Sequence, residues 1–251
     1  METEPDYEEV DLTTPRNKKE AQEVVQETPK LTPQTASIFK TFKVLVVGEP
    51  GVGKSSFIKR YVKNTFSLDR RTTVSLDFIP HIFHWDADTE VSIHFWDIPG
   101  QHRMEEQQAL FYRDARACLV MYDCVKQFTL TAARKWKENV DKHCMLNGRA
   151  YKPPCILIAN KIDLACDNSA DFDSYGLNLV VREERFRCGF PISNLSNYNI
   201  AQVVRKLVEI LLDEDKILTG AGLLATEEDE TVIDLSLVTE CTEKPNKKCT
   251  C

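Results

Sequence analysis

No stretch of this chain approaches the ~18 consecutive apolar residues that a membrane-crossing helix needs. The opening Met1-Glu2-Thr3-Glu4-Pro5-Asp6 has no secretory-leader character. These two absences make a cytosolic chain the expectation. Paired cysteine spacing is also missing. The nine cysteines, at 118, 124, 144, 155, 166, 188, 241, 249 and 251, are odd in number and scattered, unlike a disulfide framework or a zinc site. Cys118, Cys124 and Cys155 lie in apolar runs and are expected to be small core residues. A basic excess is lacking too: the formal charge is −7, with nine acids against five bases in residues 1–40 and seven against four in 216–251. The ends carry the whole imbalance, so the near-neutral middle offers no basic face to nucleic acid. Residues 1–37, with Pro5, Pro15, Pro29 and Pro33, read as a disordered acidic extension, and 216–251 as a flexible tail. One domain, 38–215, is expected between them.

What is present begins with Gly48-Glu49-Pro50-Gly51-Val52-Gly53-Lys54-Ser55. It follows the apolar run Phe42-Lys43-Val44-Leu45-Val46-Val47 and precedes Ser56-Phe57-Ile58-Lys59-Arg60-Tyr61-Val62, whose apolar residues have helical spacing. Strand, glycine-rich turn and helix make the context of a phosphate-binding loop. The glycines let successive N–H groups turn inward toward phosphate oxygens, and the helix N-terminus adds partial positive charge. Gly51, Val52, Gly53, Lys54, Ser55 and Ser56 are the candidate phosphate residues, with Lys54 reaching the β- and γ-phosphates and Ser55 ligating Mg²⁺.

Further along, Val74 to His84 and Val91 to Trp96 read as an antiparallel pair about a turn at 85–90, with His94 facing solvent. Asp97 leaves the second strand. Alone it is an ordinary turn acid; downstream of a phosphate loop its expected role is to hold a water on Mg²⁺. Ala117 to Tyr122 reads as a buried strand, Phe128 to Cys144 as a helix with Trp136 and Val140 on one face, and Leu146 to Pro154 as a loop. The strand Cys155 to Ala159 exits into Asn160-Lys161-Ile162-Asp163. There an asparagine can bond a purine edge, and the Asp163 carboxylate can accept the two N–H donors that guanine has and adenine lacks. Asp171 to Phe186 reads as a helix broken at Gly176, Phe190 to Asn194 as a last strand and its exit, and Ile200 to Leu212 as an amphipathic closing helix.

This order of motifs resembles the Ras superfamily. Ser56 to Tyr61, Thr73-Val74-Ser75-Leu76-Asp77-Phe78 and Phe111-Tyr112-Arg113-Asp114-Ala115 resemble a Rab GTPase. Ile98 in Trp96-Asp97-Ile98-Pro99-Gly100-Gln101, the Trp85-Asp86 turn and the Asn147-Gly148 insertion resemble the Rab thirty-two/thirty-eight subgroup of lysosome-related organelles. The resemblance spans roughly 38–215 and the last few residues. It implies an α/β fold, the P-loop NTPase small G-domain: a six-stranded, mostly parallel sheet with one antiparallel edge strand and helices on both faces. It implies GTP and GDP as ligands with Mg²⁺, and slow GTP hydrolysis. By the same resemblance Phe66 lies against guanine, and Thr73 joins Ser55 and Asp97 in the metal shell. Gly100 N–H binds the γ-phosphate, Gln101 orients the attacking water, and Ser193 and Asn194 flank the base. Phe78, Trp96 and Phe111 match the aromatic triad that Rab effectors read, although core packing alone also accounts for them. Implied partners are effectors, an exchange factor, a GTPase-activating protein, a prenylation escort and a GDP-dissociation inhibitor, acting on a monomer. Cys249 and Cys251 match the double-geranylgeranyl ending, which places the protein on the cytoplasmic face of endosomal, lysosome-related or Golgi-derived membranes, with a cytosolic pool.

The chain departs from this pattern at several points. Pro99 precedes the switch glycine, Pro50 sits in the phosphate loop, and Ser75 and His102 replace a glycine and a glutamate. Ser193-Asn194-Leu195 lacks the usual lysine, so weaker guanine binding is expected. Two readings result, a cycling switch and a nucleotide-bound scaffold with cycling impaired by Pro99 and Ser75. A third, an ATP-dependent P-loop enzyme, leaves Asn160 to Asp163 unexplained.

Overall fold

The computed structural model describes residues 38–67, 76–100, 110–165, 174–222 and 224. In chain order the elements are β1 (Ile38–Val47), α1 (Lys54–Lys63), β2 (Asp77–His84), β3 (Thr89–Asp97), β4 (Ala117–Asp123) and α2 (Gln127–His143). There follow β5 (Met145–Leu146), β6 (Arg149–Ala150), β7 (Cys155–Asn160), α3 (Tyr175–Glu183), β8 (Cys188–Pro191) and α4 (Ile200–Gly220), with a 3₁₀ turn at Ile162–Leu164.

Six strands form one sheet in the order β2-β3-β1-β4-β7-β8; β2 pairs antiparallel at the edge and every other pairing is parallel. β4 and β7 are buried along their whole length, which is why they read as unbroken apolar runs rather than alternating ones. Successive side chains of β1 point to opposite faces. Val44 and Val46 pack with Phe57 and Ile58 of α1 and with Val204, Leu207 and Leu211 of α4. Leu45 and Val47 pack with Ala133, Trp136 and Val140 of α2 and Leu177 of α3.

Several expectations are corrected. The segment expected as a loop at 146–154 contains the β5–β6 hairpin, whose central residues Asn147 and Gly148 both take positive φ, as a two-residue hairpin turn of type I′ demands. Gly176 does not break α3; it is the second helical residue. Glycine costs only ~1 kcal/mol even in a helix interior, so a single one in the first turn does not end the helix. β1 begins at Ile38, four residues ahead of the expected apolar run, because its largely exposed first half pairs with Thr89 to Ser92 of β3. His94 is half-buried, its ring edge-on to Phe78 at 5.0 Å.

The largest difference lies in α4. It runs to Gly220, eight residues past Leu212, so the boundary expected at 215 falls inside a helix. The buried face continues through Asp215 and Leu218. Asp215 hides that continuation because a charged residue interrupts the apolar period. It is buried because Lys40 Nζ lies 2.5 Å from its Oδ2 and Arg116 Nη2 lies 2.9 Å from its Oδ1. These pairs tie α4 to β1 and to the residue before β4.

Candidate nucleotide site

The parallel strands end together at Val47, Asp97, Asp123, Asn160 and Pro191, the edge where such sheets place ligands. Gly53 caps α1 at φ 106°, a left-handed conformation that favours glycine. No side chain caps this helix, and its first turn holds no acid. The N–H groups and positive end of the helix are therefore available to an anion. Lys54 is buried and strapped across the loop, its Nζ donating to Gly48 O at 2.7 Å and Glu49 O at 3.1 Å. Burial lowers its pKa to about 8, against the opposing pull of Asp97 and Glu49. Ser56 is half-buried one residue beyond Ser55.

Ser55 Oγ donates to Asp97 Oδ2. Asp97 is fully buried, and its Oδ1 has no hydrogen-bond partner among the described residues. Burial pushes its carboxyl pKa upward, with Ser55 and Lys54 pulling the other way. A hydroxyl beside a buried carboxylate with an orphaned oxygen fits a hard divalent cation such as Mg²⁺.

The expected base-binding residues converge on the same loop. Asn160 Nδ2 donates to Val52 O at 2.7 Å, Lys161 Nζ to Gly51 O at 2.8 Å, and Asn194 Nδ2 to Gly53 O at 2.9 Å. Three consecutive loop residues are thus sewn to two later segments. Asn160 is buried, and its Oδ1 accepts the Asn194 N–H at 3.3 Å. Much of its bonding capacity is therefore spent within the protein, where it joins these segments. At 3.3 Å that bond is long. Ser193 Oγ donates to Asp163 Oδ1 and accepts the Ser196 N–H. Asn194 Oδ1 is buried without a partner.

Two participants were not legible in the sequence. Asp123, buried at the end of β4, holds Lys161 Nζ at 2.7 Å. Arg60 of α1 donates to Asn194 O at 2.8 Å and Leu195 O at 2.9 Å, with Phe66 5.5 Å away under its guanidinium. Arg60 thus supports the loop that lacks the usual lysine. Its only sequence signal is placement two turns after Lys54.

Gly100 is buried against the phosphate loop. A Cβ there would lie 2.5 Å from Pro50 N and 2.7 Å from both Glu49 C and Gly48 O, so no larger residue fits. Phe78 and Trp96 are cross-strand partners with ring centres 5.9 Å apart. Trp96 and the half-buried Phe111 join the same core, and Lys43 Nζ lies 3.8 Å from the Trp96 ring centre. Thr73, Ser75, Gln101, His102, Cys249 and Cys251, with the extension 1–37, lie outside the described residues.

Residues 43–213 match the model of the Ras family. The chain belongs to the Ras family. Its similarity lies on the Rab branch. It is 36% identical over 211 residues to the Ras-related protein Rab-32 of Homo sapiens, covering 84% of this chain and 89% of that protein. It is 34% identical over 178 residues to Rab-32A of Dictyostelium discoideum, covering 69% and 79%. It is 35% identical over 174 residues to the human Ras-related protein Rab-7L1, covering 68% and 82%. Ras-family proteins are GTP hydrolases, and Rab GTPases are GTP-binding switches of membrane traffic. This Rab GTPase therefore combines the expected fold with a P-loop hydrogen-bonded to Asn160, Lys161 and Asn194.

Proposed function

We propose that this protein is a membrane-anchored Rab switch that binds GTP and GDP with Mg²⁺, hydrolyses GTP slowly and recruits effectors through Phe78, Trp96 and Phe111. The observation that carries the nucleotide reading is the three-bond seam from Asn160, Lys161 and Asn194 to Val52, Gly51 and Gly53. It fixes the spacing between phosphate site and base site, the distance a nucleotide must span. Lys54 supplies the charge for the phosphates. Asp163 discriminates for guanine, because a base without two donors would leave its carboxylate unsatisfied. Ser55, Asp97 and Thr73 would hold the Mg²⁺, which when bound neutralises charge on the phosphate oxygens. Gly100 N–H and Thr73 sense the γ-phosphate and Gln101 orients the water, so losing that phosphate releases both switch segments. A partner's arginine accelerates hydrolysis in this class by ~10³–10⁵.

Among the described residues no helix is long and apolar enough to cross a membrane. Anchoring falls instead to Cys249 and Cys251, since stable attachment takes two lipid chains.

The scaffold reading is favoured by one observation. Gly100 already abuts Pro50 and Glu49, and Pro99 before it fixes φ and removes an N–H. Identifying the co-purified nucleotide and then following phosphate release separates the alternatives. Guanine nucleotide with turnover supports the switch, guanine without turnover even with an activating partner supports the scaffold, and adenine nucleotide overturns both.

A further inference from the structure

At the end of the sheet opposite the nucleotide, the residues leading into β7 and β8 and the flanks of α2 and α4 enclose a pocket of about 510 Å³. Four cations line it, Lys137, Lys152, Arg185 and Arg187, against two acids, Asp141 and Glu214. Lys137 is committed to Asp141 at 2.6 Å. Lys152, Arg185 and Arg187 are exposed and have no carboxylate partner among the described residues. Such a concentration of unpaired charge in a concave site calls for an anionic occupant.

The chain carries one close by. α4 ends at Gly220, six residues after the pocket residue Glu214, or about 9 Å along the helix at ~1.5 Å per residue. Glu227, Glu228, Asp229 and Glu230 begin seven residues further on, a span of up to about 23 Å at ~3.3 Å per residue. The exit favours a return. Gly222 takes φ +64° with its N–H on Thr219 O at 3.0 Å, a left-handed turn of the kind that reverses the chain at a helix end. Leu224, just beyond, is half-buried.

We propose that the acidic run Glu227, Glu228, Asp229 and Glu230 docks into this basic pocket, so that the first part of the tail is bound to the domain rather than free. The contact is intramolecular, with an effective concentration in the millimolar range for a short linker. An anionic lipid surface is the less favoured occupant, because the same acidic run would be repelled from it. Docking does not depend on the anchoring reading. Its consequence does: only residues 231–251 would remain as tether, shortening its root-mean-square span from about 30 Å to about 25 Å.

The test uses the full-length, unprenylated, GDP-loaded protein and a zero-length carbodiimide, which joins amines to carboxylates in contact. The expected result is a bridge from Lys152 or Lys137 to the 227–230 peptide by mass spectrometry. Its yield should fall at least about fivefold on raising salt from about 0.05 to 0.5 M, as the screening length contracts severalfold. It should fall as far in R185E/R187E and vanish in E227K/E228K/D229K/E230K, the latter leaving the domain itself untouched. Combining the two sets should restore a bridge, now between positions 227–230 and positions 185 and 187. No bridge above that background in the wild-type chain, or a bridge unchanged in R185E/R187E at unaltered GDP affinity, overturns the proposal. So does sedimentation with phosphatidylserine vesicles that R185E/R187E abolishes while no bridge forms, which gives the pocket to a lipid headgroup. Because GDP affinity and phosphate release are read separately, failure here is distinct from failure of the switch reading.

Discussion

Asp97 and Asp215 are both buried aspartates, at opposite ends of the sheet, and they are treated differently. Each oxygen of Asp215 has a cation within 2.9 Å. Asp97 has one oxygen on the Ser55 hydroxyl and the other on no partner among the described residues, and burial raises its pKa. Lys54, close by, is likewise held at a lowered pKa by burial. Satisfaction is not perfect at the Asp215 end, where Arg116 Nε also lacks a partner. The contrast lies in the charges. One end neutralises them within the protein and so holds α4 to the sheet. The other leaves them incompletely neutralised, which costs stability until a ligand completes the site.

The strongest way to test this contrast is Lys54→Met. Removing one partner of a buried charge pair costs about 3–5 kcal/mol, so GTP and GDP affinity should fall by roughly two to three and a half powers of ten. Unfolding of the nucleotide-free protein should show no loss of stability. A variant that binds normally would remove Lys54 from the site. Next in size, Asp215→Asn should lower stability by about 3 kcal/mol, or roughly 6–12 °C in Tm, with little change in nucleotide affinity. Its counterpart Asp97→Asn should leave nucleotide-free stability equal or higher while weakening Mg²⁺-dependent binding. The comparison fails if the two substitutions destabilise the empty protein equally.

The pH dependence is smaller and has a definite sign. The Lys54 pKa is lowered from 10.5 to about 8, so between those values the unfolded chain holds a proton that the folded chain has released. Its cost is fully present below pH 8 and is relieved as pH rises toward 10.5. The stability difference between wild type and Lys54→Met, which cancels the contributions of thiols and phenols, should therefore shift in favour of wild type across that window. Nucleotide affinity should fall over the same range as Lys54 loses its charge, and parallel slopes would contradict the assignment. Smallest is Pro99→Ala, which restores an N–H and frees φ beside Gly100. A backbone effect of about 0.4–1 kcal/mol corresponds to a two- to fivefold rise in intrinsic or partner-stimulated phosphate release. Unchanged rates would show that Pro99 does not limit cycling.

The strands, the phosphate loop and Asn160 to Asp163 were legible because each is a short local pattern whose chemistry follows from residue order. Arg60, Asp123 and Asp215 were not, since the contacts that matter here, to Asn194, Lys161, Lys40 and Arg116, lie 38 to 175 residues away. The Asn147-Gly148 signal was seen, but its pairing across only two residues a side was below what strand periodicity can reveal. Residue order shows that Asn160 can bond a base edge but not that the fold also gives it hydrogen bonds to Val52 and Asn194.

By itself the sequence determined which chemical groups are on offer: the glycines and lysine of the P-loop, the carboxylate of Asp163, and enough apolar runs for a six-stranded sheet. Tertiary structure decided which charges are satisfied. That depends on which side chains meet inside a low-dielectric core, and only the folded register brings Lys40 to Asp215 while leaving Asp97 Oδ1 with no partner among the described residues.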